Sequence, residues 1–175
     1  MNYDFIAIPD EPVPQAANPL FQHVVTTYAS ETNKTVSMWR AVPDDCLDFK
    51  PHEKSNTIGW VGMHMAGILG WVDLTLNRDS LDIAPVGAEP YRTPVPNSRQ
   101  EILDQFDRNL ATARAAIAAA SDEQFMKPWS LLMTGEVLFT MPRAAVLRSF
   151  VLNHMIHHRG HLCVYLRLND VPVPA

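Results

Sequence analysis

Apolar residues recur at three- and four-residue steps in four stretches of this chain, the rhythm of helices with one face turned inward. The first opens at Asn18-Pro19, where asparagine can accept from orphan N–H groups and proline at the first helical position forfeits no hydrogen bond. Its stripe is Phe21, Val24, Val25, Tyr28 and Thr32; it runs to about Arg40, and Pro43 stops it. The second spans roughly Ile58 to Leu76 behind Ser55, Asn56 and Thr57, any of which can cap it. Its seam is Ile58, Val61, Met65, Ile68, Leu69, Val72 and Leu76, with Trp60, His64 and Trp71 on a second line beside it. Ser98 and Glu101 form a capping-box pattern ahead of the third, which turns Ile102, Phe106, Leu110 and Ile117 inward as far as about Ala120. The fourth starts at Pro142 and continues to about Leu168, where Asn169, Asp170 and Pro172 end it.

The intervals are less regular. Residues 1–17 hold Pro9, Pro12 and Pro14 without apolar period and read as an extended arm ahead of one domain at 18–175. Residues 77–97, with Pro85, Pro90, Pro94 and Pro96, form a long crossover of the kind that covers a site. Between Phe125 and Thr140, two apolar runs flank Thr134-Gly135-Glu136, compatible with either a hairpin or an irregular loop. With no convincing alternation elsewhere, the expected fold is all-α: a four-helix bundle with a long crossover between helices 2 and 3.

Composition narrows the function. At 175 residues, 47% hydrophobic and 19% charged, the chain can bury a core without needing metal or disulfides merely to fold. Its formal charge of −5 and the lack of a basic stripe argue against nucleic acid and leave a small apolar or weakly charged ligand. Cys46 and Cys163 make neither a CxxC motif nor a disulfide framework, and the N-terminal run lacks a basic region followed by an apolar one. A cytoplasmic protein without a membrane span is therefore expected.

The fourth helix carries the chemistry. Its seam reads Leu147, Val151, His154, His158, His161, Tyr165, at steps where a bundle ordinarily places leucine or valine. Buried imidazole nitrogens cost on the order of 1–3 kcal/mol each when unpaired, so the cluster needs a partner. Residues four apart share a helix face, and His154 and His158 can turn ring nitrogens onto one divalent ion, with His64 on the second helix as third ligand. The plainer readings are a core histidine at 64 and a chance HxxxH pair in a solvated cluster. His157 and His161 offer a competing pair that leaves the register ambiguous, with His154 and His158 favoured because both lie nearer the middle of the seam; His161 then lines the pocket and His157 faces a neighbouring helix or solvent. Trp60 and Trp71 read as core packing before they read as substrate walls. No spacing fixes a general base, though His161, Asp73 and Tyr165 could lie nearby.

The run His154-Met-Ile-His-His-Arg-Gly-His-Leu162, with an inward His64 after Ile58-Gly-Trp-Val and a following Tyr165-Leu-Arg, resembles the DinB/YfiT-like superfamily over most of residues 18–174. That resemblance implies a helical bundle with a divalent ion such as zinc or nickel at His64, His154 and His158, and frequent homodimers. It also implies a thiol-dependent transferase or isomerase that uses a low-molecular-weight thiol. His161 stands where many relatives carry glutamine, which leaves a fourth nitrogen ligand open; Trp60 and Tyr165 are the other candidate pocket residues. The alternatives are a metal-dependent hydrolase at the same centre and a non-catalytic dimeric bundle with a structural ion.

Overall fold

In a computed structural model, which describes residues 5–6 and 19–174, all four periodic stretches are helical, and a small sheet is added to them. In chain order the elements are β1 (Phe5–Ile6), α1 (Pro19–Ala41), α2 (Ile58–Asn77), β2 (Ser80–Asp82), α3 (Arg99–Ala119) and α4 (Asp122–Met126). There follow β3 (Pro128–Met133), β4 (Glu136–Pro142), α5 (Arg143–Val146), α6 (Asn153–Leu168) and β5 (Val173–Pro174). Asn18 and most of the N-terminal arm lie outside the described residues, as do the side chains of Phe21, Val24 and Val25.

Local chemistry sets the helix starts. Thr57 accepts from the Trp60 N–H at 3.1 Å and Ser98 from that of Glu101 at 3.3 Å, while the Glu101 carboxylate reaches back to the Asn97 N–H at 3.0 Å. The α2 seam is buried from Ile58 to Leu76, and α2 packs against α3 on one side and α6 on another. Gly62 makes the closest approach: a Cβ there would lie 2.6 Å from the Trp39 ring and 2.8 Å from Ile102 Cδ1. Gly62→Ala is therefore expected to lose about 1–3 kcal/mol by overpacking, more than the helix propensity it gains. Urea denaturation measures this; unchanged stability would mean that the Trp39 ring moves aside freely.

The all-α expectation is overturned, because the fold is mixed α/β. β2, β3 and β4 form a three-stranded sheet in that order, β2 parallel and β4 antiparallel to β3. The open segment is thus a hairpin, its turn at Thr134 (φ 54°) and Gly135 (φ 84°) in the left-handed region that tight hairpins require. Asp82 on β2 fixes the turn, accepting from the Thr134 and Gly135 N–H groups at 3.2 and 2.7 Å. The strands escape a periodicity search because β2 has three residues and a register shift at Leu131/Leu132 interrupts the hairpin. The inner face buries Trp129 and Leu131 with Val146, and Trp71, Phe139 and Phe150 pack against them. The sheet thereby braces two aromatic side chains that reappear at the candidate site.

The expected fourth helix is also interrupted. Between α5 and α6 the chain makes a π-helical turn, Leu147–Leu152, which widens the helix by about one residue and resets the phase of α6. Tyr28 of α1 donates its hydroxyl to the Leu147 carbonyl at 2.8 Å, tying this turn to the helical layer. At the end of α2, the Leu76 carbonyl accepts from Gln124 Nε2 at 2.6 Å and from the buried Arg143 guanidinium, which also pairs with Asp79 at 2.6 Å. A cation at a helix C-terminus is favoured by the helix dipole, which helps Arg143 to be buried. Among the described residues, no helix is long and apolar enough to cross a membrane.

Candidate metal centre

The π turn delivers α6 so that Met155, His158 and Leu162 are buried, His154 is half-buried at the edge of that face, and His157 and His161 are exposed. His161 lies about 60° around the helix from His158, enough to leave the core side. His64, half-buried on α2, faces the His154–His158 pair. His154 Nε2 lies 3.4 Å from His64 Nε2 and 2.9 Å from His158 Nε2, and one ring nitrogen from each residue falls within 4.8 Å of the others.

Those separations suit a shared cation. Ligand nitrogens at roughly 2.0–2.1 Å around a tetrahedral ion are about 3.3–3.4 Å apart. Hydrogen bonds alone serve the cluster poorly: a neutral imidazole has one donor and one acceptor, so the single Nε2 lone pair of His154 would have to receive two neighbours. A backbone hydrogen bond with Phe150 engages the His154 ring, the type of contact that fixes a ligand's orientation and tautomer. His158 Nδ1, by contrast, is buried without a partner among the described residues.

The cluster is held neutral. Burial, then the neighbouring His154, brings the His64 pKa down to about 4. Burial, then the surrounding histidines led by His64, brings His158 down to about 3. Burial also lowers His154, against the Phe150 bond and with help from His157. Neutral imidazole is the form that binds metal, so desolvation keeps all three lone pairs available near neutral pH. His157, His158 and His161 make a second, more exposed cluster that shares His158.

Trp60 stacks on His64 with ring centroids 4.6 Å apart and planes within 19°, and it meets His158 edge-on at 6.5 Å. It stacks against the His64 ring and also lines a cavity of about 740 Å³. His64 and His154 form part of that cavity's wall, with Ile68, Trp71 and Phe150. Trp71 is thus a cavity wall as well as a packing residue. A second cavity, of about 500 Å³, shares Gly67, Trp71, Ile83 and Tyr91 with the first.

Asp73 lines the second cavity only and accepts from Asn77 Nδ2 at 2.7 Å. Tyr165 is buried, lines neither cavity, and lies parallel to His161 with centroids 6.5 Å apart. Sequence reasoning passed over Phe150, Tyr91 and Arg92, which have no motif of their own, and the partner of Arg159. That arginine follows His158 and binds Glu31 of α1, with Nη2 2.6 Å from Oε2 and Nη1 3.2 Å from the backbone carbonyl. It anchors the turn of α6 that carries His158 to another helix.

A family model described as the DinB superfamily matches residues 27–162. The chain belongs to the DinB superfamily. Among relatives, the uncharacterized protein YrdA of Bacillus subtilis strain 168 is 27% identical over 153 residues, 87% of this chain and 85% of that protein. The crystal structure of a DinB-like protein from Bacillus cereus ATCC 10987 superposes with a TM-score of 0.67 at 23% identity, covering 86% of this chain and 93% of that one. A DinB-family structure from Exiguobacterium sibiricum 255-15 gives 0.62 at 18% identity, covering 87% and 93%. Both structures share the fold of this DinB-superfamily chain, and its histidine cluster can hold a metal ion.

Proposed function

We propose that this protein is a metal-dependent enzyme acting on a small molecule, a transferase that uses a low-molecular-weight thiol, with zinc or nickel held by His64, His154 and His158. The observation that carries this reading is a cluster of three neutral imidazoles, two of which, His64 and His154, line a cavity of about 740 Å³. A purely structural ion is usually enclosed by four protein ligands, whereas a working centre keeps a position open. A divalent ion bound there would supply the Lewis acidity that keeps a thiol deprotonated near neutral pH.

The chain's own residues would do the rest. Trp60 and the Phe150 carbonyl orient two of the rings, and Trp60, Trp71 and Phe150 give the cavity apolar walls. The second cavity, which shares Gly67, Trp71, Ile83 and Tyr91 with the first, would give a thiol and an electrophile separate room. The thiol is external on this reading: burial, leading in each case, pushes the Cys46 and Cys163 thiols up and leaves both poor nucleophiles.

The test is spectroscopic. Protein loaded with cobalt or nickel should develop a near-ultraviolet thiolate-to-metal band on addition of glutathione or cysteine, and His158→Ala should not. A metal spectrum indifferent to every thiol tried, together with ester or amide hydrolysis, would assign the centre to a hydrolase instead.

A further inference from the structure

The cavity beside the histidines has two unlike sides. Helix α2 and the π turn supply apolar surface, chiefly Trp60, Ile68, Trp71 and Phe150. The crossover supplies three consecutive donors, Tyr91, Arg92 and Thr93, all of which line the cavity. Among the described residues, no acidic one lines it, and the Arg92 guanidinium has neither an ion pair nor a hydrogen bond. An exposed arginine is often simply solvated. This one lies between Tyr91 and Thr93 in sequence and lines a cavity that Trp60, Trp71 and Phe150 also line, in a protein whose formal charge of −5 offers anions no general attraction.

We propose that the cavity takes a small organic anion, its apolar or aromatic body between Trp60, Trp71 and Phe150 and its carboxylate on Arg92, flanked by the Tyr91 and Thr93 hydroxyls. A guanidinium presents paired N–H donors that match a carboxylate, and the aromatic walls suit a flat hydrocarbon portion. The proposal rests on the reading of the histidine centre as an active site, since it assigns that site's substrate class: the anion is held at the crossover, and the rest of the molecule points toward His64 and His154.

Hydrocinnamate and its uncharged amide, nearly equal in shape, test this by their effect on tryptophan fluorescence, because Trp60 and Trp71 line the cavity. Both are titrated into metal-loaded and chelator-treated protein. The wild type is expected to bind the carboxylate roughly tenfold more tightly than the amide in both forms, the worth of one good charge-assisted contact. Arg92→Gln should make the two bind alike, and Arg92→Lys should restore part of the preference. An unchanged preference in Arg92→Gln, or no preference in the wild type, overturns the proposal. A preference present only in metal-loaded protein and kept in Arg92→Gln places the anion on the histidine centre, which overturns the Arg92 assignment and leaves the metalloenzyme reading intact. An Arg92-dependent preference in protein that never takes up metal supports the anion site and removes that reading.

Discussion

Replacing His158 with alanine is expected to abolish metal binding, and with it the stabilisation that metal confers on the wild type. His158 is the buried member of the cluster, with its Nε2 2.9 Å from that of His154 and its ring centroid 4.8 Å from that of His64. Removing it leaves two nitrogens, too few to hold an ion against water. With free zinc at about a hundred times its dissociation constant, linkage gives the wild type roughly 2.7 kcal/mol of added stability, read as a rise in Tm. His64→Ala and His154→Ala should lose most of that gain, and His157→Ala and His161→Ala should keep it. The controls matter because His158 also belongs to the exposed cluster with His157 and His161. Metal content of protein prepared without a histidine tag decides the matter: loss in the His157 and His161 variants, with retention in those of His64 and His154, would move the ion to the outer face of α6.

How far the sequence reaches is clearest on α2. Its apolar seam and its Thr57 cap follow from side-chain spacing and local hydrogen bonding, and both are present in the structure. The convergence of His64, His154 and His158 was legible for the same reason, since a four-residue step fixes two of them on one face and an inward position on a packed neighbour offers the third. The sheet was not legible. A three-residue β2 strand has no measurable period, and its pairing with β3 is a contact between segments about fifty residues apart. Nothing in the composition of Leu147–Leu152 sets it apart as a π turn, so a seam counted at uninterrupted helical steps carried His161 inward, where the structure has it exposed. The long crossover was recognised by its prolines, but which of its residues face the histidines depends on tertiary path, and Tyr91 and Arg92 emerge only from the cavity they line.

Acid should weaken the metal-free protein in two overlapping stages. His64 and His158 have pKa values lowered from 6.5 to about 4 and about 3, so between pH 6.5 and those values the unfolded chain binds more protons than the folded one. Stability is therefore full above about 6.5 and falls as the pH drops through that window. Glu31 extends the loss: burial alone would raise its carboxyl, but hydrogen bonds and charge from Lys34 and Arg159 outweigh burial and hold it below 4.5. Its contribution is present above 4.5 and disappears as the pH falls through its lowered value. Urea denaturation across this range, with chelator or with zinc, separates the stages. Zinc should suppress the first, because it binds the neutral rings and protons must displace it. Glu31→Gln should be less stable than the wild type near neutrality, since Arg159 loses its charged partner, and the gap should close as Glu31 protonates in the wild type. Stability of the metal-free protein that stays level from pH 6.5 down to about 5 would mean that the three rings are not held neutral by burial, and the argument for a preformed, neutral set of donors would fall with it.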